Sequence, residues 1–489
     1  MKRLLALVLA ATFAFGSVAN AQSGVDIKAK GIWDFTFGWV ESSFVNNRRA
    51  GERGFRNDDN FVARQRVRTQ INFIASENLQ GVLYFEIGNI DWGNNNGNGS
   101  VGQGSGGSLG ADGVNIETRR AYIDWMVPDT GISLRMGIQG LALPSATGFA
   151  NPIFDDDVAA ITVSYTFNET FALSAVWARP FNQEIRDSGN RHLNDEMDIF
   201  VLILPISLEG VWITPWFAYA EVGSASGFYQ FMFADGASTP VQNERASTWW
   251  AGISTNVGLY DPLTLAFDVM YGVMHKMTLD GYGDNFGLTG SDEWGTRGWF
   301  IDARIDYAFD FATLGVFGWW STGDSAAGIN AGRFGRMSAG ASDTGFGPTS
   351  FGWDGGFGMG QDAAVVGYGA SGTWGVGIQL ADFSFIENLS HTLRFTYYAG
   401  TNDKDVIRKY GAVAPAFGYS NLYLTDGDGA FEINFDHTYQ IYENLTAALE
   451  LGYIHLDLCN VWKDTGPAGL DMSKTNDAWK AQVHLQYTF

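Results

Sequence analysis

The sequence predicts an all-β protein, a transmembrane antiparallel β-barrel. Three observations predict it. Apolar and polar side chains alternate every second residue along many segments. Short polar turns alternate with long polar loops throughout the chain. No apolar run is long enough for a membrane helix. Of 489 residues, 46% are hydrophobic and 15% aromatic but only 17% are charged, against roughly 25% charged in a soluble domain. A membrane helix needs about 18 apolar residues in succession. Beyond the N-terminal leader the longest run, Ile199 to Ile206, has eight and contains Pro205. A closed barrel resolves the conflict, because each strand hides its apolar side chains on one face and closure leaves no backbone group unpaired in lipid.

Residues 1–21 read as a secretory signal peptide. Lys2 and Arg3 are followed by an apolar stretch from Leu4 to Phe15 and the small-x-small site Ala19-Asn20-Ala21. The barrel then occupies 22–489. Loss of the leader's two cations takes the formal net charge from −23 to −25. That balance excludes a nucleic-acid partner, which needs a basic footprint. The single cysteine, Cys459, excludes an intramolecular disulfide and reads as a structural thiol.

The strands follow from a period of two. In the last twelve residues, Trp479, Ala481, Val483, Leu485, Tyr487 and Phe489 form one apolar row, and the intervening row carries Lys480, Gln482, His484, Gln486 and Thr488. Earlier, Trp33, Phe35, Phe37 and Trp39 share a face. Val67, Ile71 and Phe73 oppose Arg64, Arg66, Arg68, Gln70 and Asn72. Trp299, Ile301, Ala303, Ile305, Tyr307 and Phe309 oppose Asp302, Arg304 and Asp306. Phe431, Ile433, Phe435, Tyr439 and Ile441 oppose Glu432, Asn434, Asp436, Thr438 and Gln440. His437 interrupts that last apolar row, which suits an interfacial girdle or a subunit contact. The run from Ile199 to Ile206 is apolar on both faces, which suits a place under an inserted loop or at a subunit contact.

Short turns are expected at Ser76-Glu77-Asn78, Pro128-Asp129-Thr130, Asn168-Glu169-Thr170, Ser207-Leu208-Glu209, Tyr260-Asp261-Pro262, Asp310-Phe311, Glu387-Asn388 and Glu443-Asn444. Long loops are expected near 41–59, 91–114, 141–158, 181–194, 223–243, 277–295, 322–371, 401–428 and 459–476. These connect 18 strands, with 16 as the alternative if the 322–371 segment is misread. An even strand number with short connections on one side and long ones on the other is the topology of the bacterial outer membrane. Both chain ends then lie in the periplasm, and the loops meet lipopolysaccharide.

Eighteen strands enclose an aqueous lumen. Arg64, Arg66 and Arg68, at spacing two, share one face of one strand. Cations facing lipid cost roughly 2–4 kcal/mol each near the midplane, so these three are expected to face water. Arg120, Arg135, Arg304 and Arg394 lie on the polar parity of other strands. The third long segment, Leu141 to Val158, carries Pro144, Pro152 and the triplet Asp155-Asp156-Asp157. Two readings stay open: the arginines line a constriction, or they pair with wall carboxylates such as Glu86 and Asp124; the aspartates, likewise, belong to the constriction or sit at an exposed strand entry.

Enzymatic readings find little to stand on. The six histidines are scattered, and neither a Gly-x-Ser-x-Gly elbow nor a His-Glu-x-x-His metal motif is present. Gly97-x-Gly99-x-x-Gly102 has the form of a dinucleotide loop, but no strand leads into it and no helix follows. No cofactor is expected. Asp426-Gly427-Asp428-Gly429 and Asp292-Glu293 offer hard oxygens for loop-bound divalent cations such as calcium.

The leader, the alternation, the loop–turn rhythm and the terminal Tyr487-Thr488-Phe489 together resemble the general porins of Gram-negative bacteria. Arg119-Arg120-Ala121-Tyr122-Ile123-Asp124-Trp125 is similar to the homotrimeric porins of sulfate-reducing bacteria. The resemblance implies a homotrimeric channel for passive diffusion of small hydrophilic solutes and ions. It implies a third loop folded into the barrel, with Asp155, Asp156 and Asp157 opposing Arg64, Arg66, Arg68, Arg120 and Arg135 across a constriction. It also implies that Phe489 is read by the barrel-assembly machinery. General porins have sixteen strands, whereas eighteen is the number in sugar-specific channels, so a channel specific for sugars or small organic anions is the alternative.

Overall fold

The computed structural model describes residues 24–41, 60–93, 107, 116–182, 195–224, 226–228, 245–278, 293–337, 341–342, 349, 371–410, 423–463, 471, 473–475 and 477–489. The leader, the Gly97–Gly102 tract and Asp292 lie outside these residues.

Twenty hydrogen-bonded segments form one sheet. Two of them, Glu196–Ile203 and Ile206–Leu208, are a single strand interrupted at Leu204-Pro205, because both pair with the same neighbour and proline has no amide to donate. The two-residue segment Ala341–Ser342 belongs to a loop. Eighteen antiparallel strands therefore form the wall. They are β1 (Asp26–Glu41), β2 (Asn60–Ser76), β3 (Leu79–Asp91), β4 (Ile116–Met126), β5 (Ile132–Ala142), β6 (Phe154–Thr166), β7 (Ala172–Asn182), β8 (Glu196–Leu208, with its break), β9 (Val211–Val222), β10 (Ala246–Tyr260), β11 (Leu263–Thr278), β12 (Glu293–Phe309), β13 (Ala312–Ser321), β14 (Thr373–Ile386), β15 (Leu389–Gly400), β16 (Gly429–Tyr442), β17 (Leu445–Asp457) and β18 (Ala478–Thr488). The sixteen-strand alternative is excluded, since eighteen strands close the wall and β13 pairs directly with β14 across the long segment between them. The eight short turns and nine long connections fall at the expected places, except that Ser207 and Leu208 belong to a strand and the third connection ends at Ile153 rather than Val158.

β1 closes on β18, with Trp33 opposite Tyr487 and Gly38 opposite Gln482. The terminal residue finishes the seam: the Phe489 amide donates to the Gly31 carbonyl at 3.1 Å, and the Gly31 amide donates to the Phe489 carbonyl at 3.0 Å. Closure removes both sheet edges, which is what allows a sheet to stand in lipid. One face of the wall is a continuous exposed apolar surface that includes Trp33, Trp39, Phe200, Phe217, Trp299, Ile305, Trp320, Phe431 and Trp479. This is the face that a membrane-spanning barrel turns to lipid.

The inner face divides into two halves. Towards the short turns its side chains are accessible. Towards the long loops they are packed, from β6 round to β18: Ala178, Met197, Val222, Trp250, Phe300, Tyr398, Ala430, Ile454 and Ala478 are all nearly fully buried. The filling comes from the loops. In the seventh connection, helix α1 (Ala326–Asn330) is capped by Ser325, whose Oγ accepts from the Gly328 amide, and it buries Ile329. In the eighth, helix α2 (Lys404–Tyr410) buries Val406, Ile407 and Tyr410. Phe334, Met337, Tyr423, Leu424 and Trp462 complete one hydrophobic cluster with the inner wall. The run Met197–Ile203 joins it through Met197, Ile199 and Val201, in the same cluster as Leu143 and Ile153 of the third loop. Inner-face glycines make room for these rings. A Cβ on Gly252 would stand 2.4 Å from the Trp216 indole, and one on Gly272 would stand 2.4 Å from that of Trp250.

Candidate functional site

The third long loop, 143–153, turns into the barrel and crosses to strands six positions away around the wall. Its far anchor is a pair of buried carboxylates at directly opposed register positions, Asp268 of β11 and Asp302 of β12. Asp268 accepts from Ser145 Oγ at 3.1 Å, from the Ala146 amide at 3.0 Å and from the Thr147 amide at 3.3 Å. Thr147 Oγ1 donates to Asp302 Oδ2 at 2.5 Å. Ser254 of β10 donates to the Pro144 carbonyl at 3.0 Å, and Phe149 packs edge-on to Phe317 of β13 with ring centroids 5.4 Å apart. Asn151 holds the loop's own shape: its Nδ2 donates to the Pro144 carbonyl, and its Oδ1 accepts from the Ile153 amide. Pro144, Ser145 and Ala146 meet Trp212, Thr214, Ser254 and Asn256 around a cavity of about 410 Å³.

The face that holds this loop is the lumen, and register carries it round the wall. Asp306 pairs with Gly315, Gly315 with Gln379, Gln379 with Arg394, Arg394 with Asn434 and Asn434 with Gly452. Gly452 pairs with Lys480. Three steps along the same alternation, Gln486 pairs with Asp34, and Asp34 with Arg66. Arg64, Arg66 and Arg68 therefore look into the lumen.

Each of these arginines meets a carboxylate of the adjoining wall. Arg64 Nε donates to Asp91 Oδ1 at 2.6 Å, Arg66 lies 3.6 Å from Asp34, and Arg68 Nε donates to Glu86 Oε2 at 2.6 Å. Arg135 bonds both oxygens of Asp124, at 2.6 and 3.0 Å. Of the two readings the sequence left open, pairing with Glu86 and Asp124 is the one these distances describe.

The aspartate triplet needs a correction. Asp155, Asp156 and Asp157 are not loop residues facing the arginines across the lumen; they open β6. The ladder between β5 and β6 runs on through Leu141–Asp156 and Ala142–Asp155 to a bond from the Leu143 amide to the Phe154 carbonyl. That pairing takes the triplet into the wall. Asp157 sits beside the arginines: Arg119 Nε donates to its Oδ2 at 2.6 Å and Arg120 Nε to its Oδ1 at 2.7 Å. Strict alternation would send neighbours such as Arg119 and Arg120 to opposite faces. A bulge brings them together, for the register between β3 and β4 slips between Tyr84–Arg120 and Phe85–Thr118, leaving Arg119 as the extra residue. Arg119 also reaches Glu86 at 3.4 Å. Sequence reasoning missed Arg119 and the Asp268–Asp302 anchor. The available hint was a single carboxylate, Asp268, on an otherwise apolar stretch.

The result is a strip of alternating charge on β1–β6 that runs Arg64–Asp91, Arg66–Asp34, Arg68–Glu86–Arg119–Asp157–Arg120 and Arg135–Asp124. Tyrosine faces lie under two of its cations. The Arg135 guanidinium is 4.4 Å from the Tyr122 ring centre, and that of Arg120 is 5.5 Å from Tyr84. The acidic loop at 426–429 is committed elsewhere. Asp428 is buried and accepts from the Thr425 amide and hydroxyl, the Cys459 amide and the Trp462 indole, so it ties the eighth loop to the ninth. Among the described residues no group of three or more potential metal-binding side chains gathers.

No protein-family model matches the sequence, and no curated protein is similar to it at sequence level. Solved structures share its fold. It is similar to Pseudomonas aeruginosa OccK9 (OpdG) at 11% identity over 96% of this chain and 100% of that one, with a TM-score of 0.52. It is similar to Acinetobacter baumannii OccAB3 at 11% identity over 95% and 99%, with a TM-score of 0.50. At these identities the likeness is one of fold.

Proposed function

We propose that this outer-membrane barrel is a water-filled channel for passive diffusion of small hydrophilic solutes and ions, with its filter on the charged strip of β1–β6 beside the inserted loop. One observation carries the reading. The strip's arginine side chains keep 13–40% of their surface accessible, whereas the loop-side half of the inner row from β7 to β18 is packed beneath the long loops. The conducting path is therefore off-centre and polar on its arginine side. Opposed fixed charges in a low-dielectric channel orient dipolar solutes and water as they pass.

Because each cation has an acidic neighbour, the strip adds little net charge, and the acidic balance of the whole chain, −23 in formal charge, favours cations. Single-channel recording in planar bilayers tests both points. Ohmic steps with a weak cation preference in a salt gradient are expected. Silence across many insertions would refute the pore, and a strong anion preference would refute the compensated filter. The stacked Arg135–Tyr122 and Arg120–Tyr84 pairs support a second reading, a channel preferring sugars or small organic anions, which would appear as block of the current by such solutes. A homotrimer is part of the same proposal, read as an unboiled band on gel at three times the boiled mass.

A further inference from the structure

On the lipid face of β15 the outward row is Leu389, His391, Leu393, Phe395 and Tyr397. On β16 it is Phe431, Ile433, Phe435, His437, Tyr439 and Ile441. Each row carries one imidazole, and the two stand directly opposite in register. Their Nδ1 atoms are 2.6 Å apart. Phe435 packs edge-on to His437 at 4.2 Å between ring centres, and Phe383 lies 5.2 Å from His391. His391 is three residues from the turn at Glu387-Asn388, among Phe385, Tyr439 and Tyr442, all of them exposed. That places the pair at the aromatic girdle, where lipid gives way to periplasmic water.

An ionisable side chain on a lipid-facing wall is costly and calls for a partner or a ligand. Two such side chains at one register position form a chelating edge. We propose that His391 and His437 bind a divalent transition metal of the copper–nickel class on the outside of the barrel, with water in the remaining positions. Metal–imidazole bonds of about 2.0–2.1 Å put cis nitrogens about 2.9 Å apart in a square or tetragonal site and about 3.3 Å apart in a tetrahedral one. The pair needs to open by only a few tenths of an ångström for the former. Sheet hydrogen bonds fix both backbones, so the edge is formed before metal arrives.

The test is a Cu²⁺ titration of the folded, detergent-solubilised full barrel, followed by electron paramagnetic resonance. One equivalent with a two-nitrogen signature is expected. His391→Ala should abolish the signature and weaken binding at least about tenfold, since loss of an outer-shell contact alone costs that much. His437→Gln, which keeps a polar group on β16, should do the same while leaving the heat-modifiable gel shift intact. His455→Ala, which removes the imidazole that bonds Asp477, should change nothing. A wild type without the two-nitrogen signal, its survival in the His391→Ala, His437→Gln double variant, or its loss in His455→Ala would overturn the proposal.

Discussion

Removing the Asp268 carboxylate should free the inserted loop. The structure gives Asp268 bonds from Ser145 Oγ, the Ala146 amide and the Thr147 amide at 3.0–3.3 Å, all within a site closed to solvent. Hydrogen bonds to a carboxylate contribute roughly 1.5–3 kcal/mol each. The three share two oxygens and are not additive, and water enters once the carboxylate is gone, so about 3 kcal/mol is the working loss. At 1.36 kcal/mol per decade this moves the balance between docked and undocked loop by about 150-fold. Asp268→Ala should therefore show a larger open-channel conductance and increased current noise in planar bilayers. Asp268→Asn keeps one acceptor oxygen and should lie between the variant and the wild type. Conductance and noise of Asp268→Ala matching the wild type would refute the assignment of this carboxylate as the loop's anchor.

Other expectations follow from the same geometry. Glu86→Gln strips the shared counter-charge from Arg68 and Arg119; the reversal potential in a salt gradient should move towards anions, and an unmoved value would argue against a conducting path along this strip. Gly252→Val would force a side chain onto the Trp216 indole. Overpacking of this kind costs about 1–3 kcal/mol and should lower the temperature at which the barrel's gel mobility changes. Burial raises the Cys459 thiol above its ordinary value, outweighing its bond with Thr425. A raised thiol holds less thiolate at a given pH, so iodoacetamide should label the folded barrel more slowly than free cysteine near pH 8 and gain on it as the pH rises. Equal rates throughout would contradict the burial seen at the eighth and ninth loops.

The wall was legible because a membrane barrel repeats one rule. Period-two sorting and turn residues at Asn168-Glu169-Thr170, Glu387-Asn388 and Glu443-Asn444 depend on neighbours in sequence, and those survive without the fold. The interior was less legible wherever a distant segment covers the wall. In β11 the inward row carries Ala266, Met270 and Met274 beside Asp268, so it looks apolar on both faces. It makes sense only once the third loop is seen lying on it. The bulge at Arg119 escaped notice because alternation assumes an unbroken register. The triplet Asp155-Asp156-Asp157 misled because carboxylates after Pro152 read as loop, whereas pairing with Leu141 and Ala142 continues the strand past them.

The packing of Trp462, Tyr423 and Phe334 against the inner wall has a bearing on how the long loops can change. Loop segments that stay on the surface tolerate sequence change better than the elements they connect. Those three side chains are buried and support the barrel from within, so replacements there would erode its rigidity. Freedom to drift falls to neighbours such as Asp405 and Arg408, whose side chains are more than half exposed and pair with each other.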